Sequence, residues 1–218
     1  MFTTRFQAWV RRNAQRAARL IGRLPITPNQ VTVAGTALTF AAAGLAATGH
    51  LLVAGLVLAV SGTFDILDGA LARATKRSYP YGAFLDSTFD RYSEGAVYIG
   101  IAVYFLDFGR GPWMRWEVLA CMLALAGSYL VSYVRARAQS LGFKCDSGMF
   151  ARPERVVVTV VGLVIANPLV LGLVVGLLAV MTNVTAAQRI SEVWAQARAQ
   201  RRAREAAQAP PRGEISRP

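Results

Sequence analysis

The sequence predicts an all-α integral membrane protein with six transmembrane helices and an N-terminal amphipathic interfacial helix. The 218 residues are 54% hydrophobic and only 17% charged, which is too apolar for an ordinary soluble domain. The apolar residues also come in blocks of the length, about 20 residues, that a membrane helix requires. Lysines and arginines concentrate between these blocks, as they do in the cytoplasmic loops of membrane proteins. Residues 27–189 are therefore interpreted as one six-span domain.

Residues 1–26 form a segment of a different kind, in which apolar and basic residues alternate at helical spacing. Phe2, Phe6 and Trp9 recur at intervals of three and four, with arginines between them. This pattern predicts a juxtamembrane helix that lies in the membrane interface instead of crossing it. A solvated helix packed on the rest of the protein remains the alternative.

The six spans are bounded by helix start signals and helix breakers. Thr27, Pro28 and Gln30 form a capping box that begins the first span, over about residues 29–48. Asn167 and Pro168 divide one long apolar run into two helices, because proline disrupts a helix interior. The other spans are placed at about residues 51–73, 82–106, 116–135, 148–166 and 168–187.

The distribution of positive charge predicts the orientation. All but two of the 24 lysines and arginines fall on one side of the six spans, the exceptions being Arg110 and Arg115. Both termini are therefore expected to be cytoplasmic, in a multi-pass protein of the cell inner (plasma) membrane. Residues 190–218 form a basic cytoplasmic tail whose distal part, from about residue 207, is expected to be disordered.

The net charge of +12 is explained by this topology and by attraction to anionic membrane lipids. Nucleic acid is not an expected partner, because the tail after Arg198 has no interleaved aromatic residues for bases to stack on. A homodimer is a candidate assembly. Gly172 and Gly176 have the spacing that lets membrane helices pack closely, although such pairs are common.

Four aspartates lie where spans two and three approach the cytoplasmic side: Asp65 and Asp68 on one helix, Asp86 and Asp90 on the next. Each pair shares one helical face. A carboxylate at the membrane centre costs about 2.5–3.5 kcal/mol to insert, so four close together need compensating cations. Aspartate oxygens are ligands suited to Mg²⁺, Mn²⁺ or Ca²⁺. The alternative is simple pairing with neighbouring arginines and lysines at the helix ends.

A pair of metal ions would favour phosphoryl transfer, since two ions can hold both ends of an in-line displacement at phosphorus. A divalent-metal transporter is the competing class. A transporter, however, needs a pathway through the middle of the membrane, whereas these acids cluster near one interface. Spans one, five and six offer only serine, threonine and asparagine as internal polar residues.

The spacing D-x2-D-G-x2-A-R-x8-G-x3-D-x3-D, over residues 65–90, resembles the signature of the CDP-alcohol phosphotransferases. It is filled by Asp65, Asp68, Gly69, Ala72, Arg73, Gly82, Asp86 and Asp90. Members of that family transfer a phosphatidyl group from a CDP-linked lipid to an alcohol and release CMP. The resemblance, which the six-span pattern extends over most of the chain, implies an enzyme of phospholipid biosynthesis.

The same resemblance implies roles for individual residues. Asp65, Asp68 and Asp86 would bind Mg²⁺ or Mn²⁺, as two ions, with Asp90 also touching the metal. Asp90 would be the general base for the incoming hydroxyl. The implied contacts to the donor, CDP-diacylglycerol, are Pro28, Asn29, Gln30, Val31, Thr32, Gly69, Ala72, Arg73, Tyr79 and Gly82.

Arginines at the cytoplasmic ends of spans four to six predict an acceptor that carries phosphate, because guanidinium groups bind phosphate with charge-assisted hydrogen bonds. They are Arg135, Arg152, Arg155 and Arg189. For any single one, ordinary positive-inside charge is an equal explanation.

The segments "SYVRARA" and "RPER" most resemble those of actinobacterial phosphatidylinositol phosphate synthases. This implies inositol 1-phosphate as the acceptor, with Arg135 standing where relatives often have lysine. Glycerol 3-phosphate, the acceptor of a phosphatidylglycerophosphate synthase, remains open because it is also anionic. Serine ranks third.

Overall fold

The computed structural model describes residues 27–74, 79–109, 111–145, 147–148, 150 and 152–208. These residues form helices and connecting turns, and no strand occurs among them. The helices are α1 (Pro28–Ala47), α2 (Leu51–Ala74), α3 (Pro80–Phe108), α4 (Met114–Ser140), α5 (Arg152–Ile165) and α6 (Pro168–Gln208). The amphipathic helix predicted for residues 1–26 and the last ten residues of the tail lie outside the described residues.

Two of the predicted helix signals are confirmed at atomic detail. The Thr27 hydroxyl accepts a hydrogen bond from the Gln30 amide at 3.3 Å, and the Gln30 side-chain oxygen accepts from the Thr27 amide at 2.8 Å. Asn167 separates α5 from α6, and its side-chain oxygen caps α6 by accepting from the amides of Leu169 and Val170. The capping box and the Asn167–Pro168 break therefore start the helices as the sequence indicates.

Three helix bounds differ from the prediction by four residues or more, and one of them is the end of α4, which lies at Ser140 instead of residue 135. Helix α5 begins at Arg152 instead of residue 148, with Pro153 in its first turn, where proline is favoured. Helix α6 continues to Gln208, about 20 residues past its predicted end, because the tail is rich in the strong helix formers alanine, arginine and glutamine. At about 60 Å, α6 is roughly twice the thickness of the hydrocarbon core.

The helices form a closed ring in which each has two principal neighbours. Helix α1 packs on α2 and α3, α2 packs on α5, α5 on α6, α6 on α4, and α4 on α3. Helix α1 therefore lies against both aspartate-bearing helices, α2 and α3.

Among the described residues, four helices are long and apolar enough to cross a membrane, namely α1, α2, α4 and α6. The outward faces carry exposed apolar side chains, including Phe40, Leu56, Val161 and Leu173, as expected for contact with lipid. The protein is therefore embedded in a membrane. Helix α3 carries several charged residues and α5 has only 14 residues, so six complete spans remain a prediction.

The main hydrophobic core lies at the end of the bundle away from the aspartates. Leu51, Ile101, Phe105 and Leu171 are almost completely buried there, together with small residues of α1. Gly100 packs directly on the backbone carbonyl of Ala43. Close packing through small residues is typical of membrane helices, and it leaves the opposite end of the ring for polar groups.

Candidate active site

Asp65 and Asp68 lie on the last turns of α2, next to the first turns of α1. Asp68 is buried and accepts a hydrogen bond from the Thr32 hydroxyl at 2.7 Å. A Cβ atom at Gly35 would lie 2.9 Å from the Cβ of Phe64 and 3.7 Å from an Asp65 carboxylate oxygen. Glycine at position 35 thus allows α1 to approach α2 closely beside the two carboxylates.

Asp86 and Asp90, on the first turns of α3, face Asp65 across the interior space. One guanidinium nitrogen of Arg152, Nη2, lies 2.9 Å from Oδ2 of Asp65 and 2.7 Å from Oδ1 of Asp90. The charge of Asp86 interacts with both Arg152 and Asp65. Arg152, the first residue of α5, therefore connects a carboxylate of α2 with a carboxylate of α3.

Asp90 has a second basic neighbour on its own helix. Arg91 Nη2 lies 3.6 Å from Oδ2 of Asp90, and Arg91 also donates to the hydroxyl of Ser132 on α4. The backbone carbonyl of Arg91 accepts a hydrogen bond from Tyr129 at 3.0 Å. Arg91 thus links this turn of α3 to α4 and fixes the helix that presents Asp90.

Arg155 is held by a buried acid that the sequence reasoning missed. Its Nε and Nη2 atoms donate to the two carboxylate oxygens of Glu94 at 2.7 and 3.1 Å, and Nη1 donates to the Phe150 carbonyl at 3.2 Å. Arg155 is only 2% exposed. The spacing could have identified Glu94, because it follows Asp90 by four residues and so lies on the same face of α3.

Arg189 holds the link between α4 and α5 against α6. It is buried, and it donates to the backbone carbonyls of Ser147 at 2.9 Å and Val131 at 2.6 Å. Its charge interacts with those of Arg135 and Arg155. Arg135 near the end of α4, Arg155 in the first turn of α5 and Arg189 in the middle of α6 are therefore close enough for their charges to interact. Arg152 lies one turn before Arg155 and lines the same cavity, but it contacts the aspartates.

A small cavity of about 40 Å³ lies beside Asp65, Glu94, Arg152 and Arg155. Its walls come from α1, α2, α3 and α5, and its polar lining is provided by Thr39, Ser61, Asp65, Ser93, Glu94, Tyr98, Arg152, Arg155 and Thr159. This volume can hold ordered water but not a substrate. Arg152 and Asp65, which contact each other, both lie in the wall of this cavity.

The predicted donor-binding residues divide into two groups. Asn29 and Gly82 are brought together, because a Cβ at Gly82 would lie 3.2 Å from the side-chain oxygen of Asn29. Glycine at position 82 therefore lets the Asn29 side chain of α1 approach the start of α3 closely. Tyr79 is 69% exposed.

In the second group, the side chains make contacts with other groups of the protein. Val31 packs against Ala70 and Leu71 of α2, and Gln30 closes the capping box. Thr32 donates to Asp68. The side chain of Arg73 lies outside the part of the chain that the structure describes.

Comparison with known proteins agrees with this architecture. Residues 25–187 match the model of the CDP-alcohol phosphatidyltransferase family. The chain belongs to this family. It is therefore an enzyme, a transferase of phospholipid biosynthesis, and the metal-transporter alternative is set aside.

Individual relatives are similar over most of their length. The phosphatidylinositol phosphate synthase of Mycobacteroides abscessus is 38% identical over 176 residues, which cover 78% of this chain and 79% of the relative. The archaetidylinositol phosphate synthase of Pyrococcus horikoshii is 37% identical over 184 residues, covering 84% and 92%.

Solved structures of the Mycobacterium tuberculosis phosphatidylinositol phosphate synthase have the same fold. The structure with CDP-DAG bound has a TM-score of 0.76 at 35% identity, covering 84% of this chain and 94% of that one. The complex with manganese and citrate also has a TM-score of 0.76, at 34% identity, covering 83% and 88%.

The aspartates of the phosphatidyltransferase provide carboxylate oxygens, which are suitable ligands for a divalent cation. Four carboxylates approach one space, and a cationic group already bridges Asp65 and Asp90. Within the described ranges, no three acidic, cysteine or histidine side chains converge in the manner of a metal site. Two contacts account for this: Arg152 lies between Asp65 and Asp90, and Asp68 turns toward Thr32. A metal ion would need Arg152 to move.

Proposed function

We propose that the phosphatidyltransferase transfers the phosphatidyl group of CDP-diacylglycerol to inositol 1-phosphate, giving phosphatidylinositol phosphate and CMP. The observation that carries this proposal is a set of neighbouring arginines: Arg152 and Arg155 line one cavity with Asp65, and the charges of Arg135 and Arg155 act on Arg189. A phosphorylated acceptor brings about two negative charges toward a site that already holds the anionic donor. Guanidinium groups at this position would offset that repulsion through charge-assisted hydrogen bonds.

The relatives favour inositol phosphate over glycerol 3-phosphate, a choice that charge alone does not make. The M. abscessus relative is named a phosphatidylinositol phosphate synthase and the P. horikoshii relative an archaetidylinositol phosphate synthase, so the two names differ in the lipid and share the inositol phosphate. The acceptor is thus the part of the reaction that the two share. CDP-diacylglycerol as donor is supported by the M. tuberculosis structure that holds CDP-DAG.

In the proposed reaction, a hydroxyl oxygen of the acceptor attacks the phosphorus of the phosphatidyl group. The bond from that phosphorus to the CMP oxygen breaks, and CMP leaves with the electron pair. Asp90 takes the proton of the attacking hydroxyl. Asp65, Asp68 and Asp86, with Asp90, would hold Mg²⁺ or Mn²⁺, as two ions, which would neutralise the diphosphate and the charge that develops on the leaving group.

The donor is proposed to bind where α1, α2 and α3 begin or end together. Gly69, Ala72 and Gly82 have little or no side chain, which leaves room for the cytidine diphosphate beside the carboxylates. Asn29 would provide a polar contact from α1, and Arg73 is proposed to pair with a donor phosphate. The distribution of lysine and arginine supports a cytoplasmic site, where soluble inositol phosphate and a membrane lipid can meet.

The first expected result concerns the acceptor. Purified enzyme with CDP-diacylglycerol and Mg²⁺ should release CMP in the presence of inositol 1-phosphate, with kcat/KM at least tenfold above that for glycerol 3-phosphate or serine. Lipid products resolved by mass spectrometry should contain phosphatidylinositol phosphate. A higher kcat/KM for glycerol 3-phosphate would replace the proposed acceptor while leaving the family chemistry intact.

The second expected result tests the arginine group with a matched pair on α4. Arg135 interacts with Arg189, whereas Arg137, also exposed, points to another side of the same helix. Losing one charge-assisted contact costs about 1.5–3 kcal/mol, so Arg135→Gln should raise the KM for inositol 1-phosphate at least tenfold. The KM for CDP-diacylglycerol should change less than twofold.

Arg137→Gln is the control, because it removes the same charge from the same helix end. It should leave both KM values within twofold of the wild type. Equal effects of the two substitutions on acceptor KM would mean that the general positive potential acts, not a specific phosphate contact.

A further inference from the structure

Arg152 makes contacts that neither its helix position nor a role in acceptor binding explains. It is the first residue of α5, where the partial positive charge of the helix N-terminus disfavours a cation. Its guanidinium nevertheless lies at this end and contacts Asp65 and Asp90 through one nitrogen. The two carboxylates, on different helices, are the groups that overcome the unfavourable position.

The contact occupies the oxygens that a divalent cation would use. Asp65 is a proposed metal ligand and Asp90 the proposed base. Arg152 contacts an oxygen of each at hydrogen-bond distance, 2.9 and 2.7 Å. Asp86 adds its charge to the same group. A guanidinium and a metal ion cannot both lie between these carboxylates.

The surroundings allow the side chain of Arg152 to leave without moving α5. The helix is fixed by packing on α2 and α6 and by the buried pair between Arg155 and Glu94. The Arg152 side chain is 26% exposed, so solvent reaches it. A rotation about its own side-chain bonds would break both contacts while the backbone of α5 stays in place.

We propose that Arg152 is a positioning residue that exchanges partners when the enzyme loads metal. Without metal, Arg152 compensates Asp65 and Asp90 and holds α2, α3 and α5 together. When a divalent cation binds, Arg152 is displaced, and its guanidinium becomes available to a substrate phosphate. Metal affinity is therefore set partly by competition with the protein's own arginine. This inference rests on the proposed metal site at the aspartates.

The test measures Mn²⁺ binding to the purified full-length enzyme without substrate, from the free-Mn²⁺ electron paramagnetic resonance signal. Arg152→Gln should bind the first Mn²⁺ at least tenfold more tightly than the wild type. In the wild type, only the fraction of molecules in which Arg152 has left the carboxylates can bind the ion, and the apparent affinity is reduced by that fraction. In EDTA the same variant should have a lower Tm than the wild type, because Asp65 and Asp90 lose their counter-charge.

Two further variants separate the bridge from general electrostatics. Arg152→Lys keeps the charge but replaces the planar guanidinium with a shorter, single ammonium group, so it should also bind Mn²⁺ more tightly than the wild type, by at least threefold. Arg137→Gln removes a charge elsewhere and should stay within twofold. If Arg152→Lys binds Mn²⁺ with the same affinity as the wild type, charge alone explains the effect of Arg152→Gln, and the proposed guanidinium bridge is overturned. The lysine variant also provides the test if Arg152→Gln does not fold.

Asp65→Asn distinguishes failure of this inference from failure of the metal site itself. If Asp65→Asn binds Mn²⁺ with the same affinity as the wild type, the proposed metal site is wrong. The proposed exchange of partners by Arg152 is then wrong as well. If Asp65→Asn abolishes binding but Arg152→Gln binds no more tightly than the wild type, the metal site stands. Arg152 then does not compete for it, and the inference is overturned.

Discussion

Replacing Asp90 by asparagine should lower kcat by about 10²–10⁴-fold, the usual contribution of a general base. Asparagine has almost the same shape but cannot take the proton of the attacking hydroxyl. Asp90 is proposed for this role because it lies near Asp65 and Asp86 at the proposed metal site. The KM for CDP-diacylglycerol should change less than threefold. Both constants follow from initial rates of CMP release.

Asp107→Asn is the matched control, because Asp107 is an exposed carboxylate near the other end of the same helix. That variant should retain wild-type kinetics. If Asp90→Asn instead loses Mn²⁺ binding together with all affinity for the donor, Asp90 acts mainly as a metal ligand. The base would then have to be sought elsewhere in the site.

The parts of the fold that depend on local sequence could be predicted well. The Thr27–Gln30 capping box and the break at Asn167 involve groups within a few residues of each other. Helices α1 and α2 begin and end within about a residue of the predicted spans. Helix α6 was expected to end near residue 187, because hydropathy finds the apolar part of a helix and not its polar continuation.

The site could be predicted as a set of residues but not as a set of pairs. Helical spacing indicates that Asp86, Asp90 and Glu94 share one face of α3, yet it does not say which arginine each acid contacts. The structure pairs Glu94 with Arg155, and Asp90 with Arg152. That choice depends on how α5 packs between α2 and α6 and on side-chain rotamers, neither of which a linear pattern contains.

The four predicted acceptor arginines differ in their contacts within the protein. All four lie at the same end of the bundle, as the charge distribution indicated. Arg155 and Arg189 are buried and donate to protein oxygens, so substituting either removes a structural contact as well as a charge. Loss of one partner of a buried ion pair typically costs about 3–5 kcal/mol of stability. Arg135 is exposed, and for this reason it is the more informative position for testing acceptor binding.

The largest expected effect is that of metal removal. Exhaustive treatment with EDTA should abolish CMP release, and Mg²⁺ or Mn²⁺ added in excess of the chelator should restore it. The reason is electrostatic: the donor brings a diphosphate and the acceptor a phosphate to a site with four aspartates. Without divalent cations this assembly of like charges lacks compensation in a partly desolvated space. The single guanidinium of Arg152 cannot replace two divalent ions.

The measurement needs a control for loss of fold, because metal removal from four clustered carboxylates could also destabilise the bundle. The Tm in EDTA should show a folded protein, since Arg152 pairs with Asp65 and Asp90 without metal. EDTA already saturated with Ca²⁺, tested with Mg²⁺ present, controls for effects of the chelator itself. Full turnover after exhaustive chelation would refute metal-assisted transfer. Restoration that requires one ion per enzyme, determined by titration, would reduce the proposed pair to a single metal.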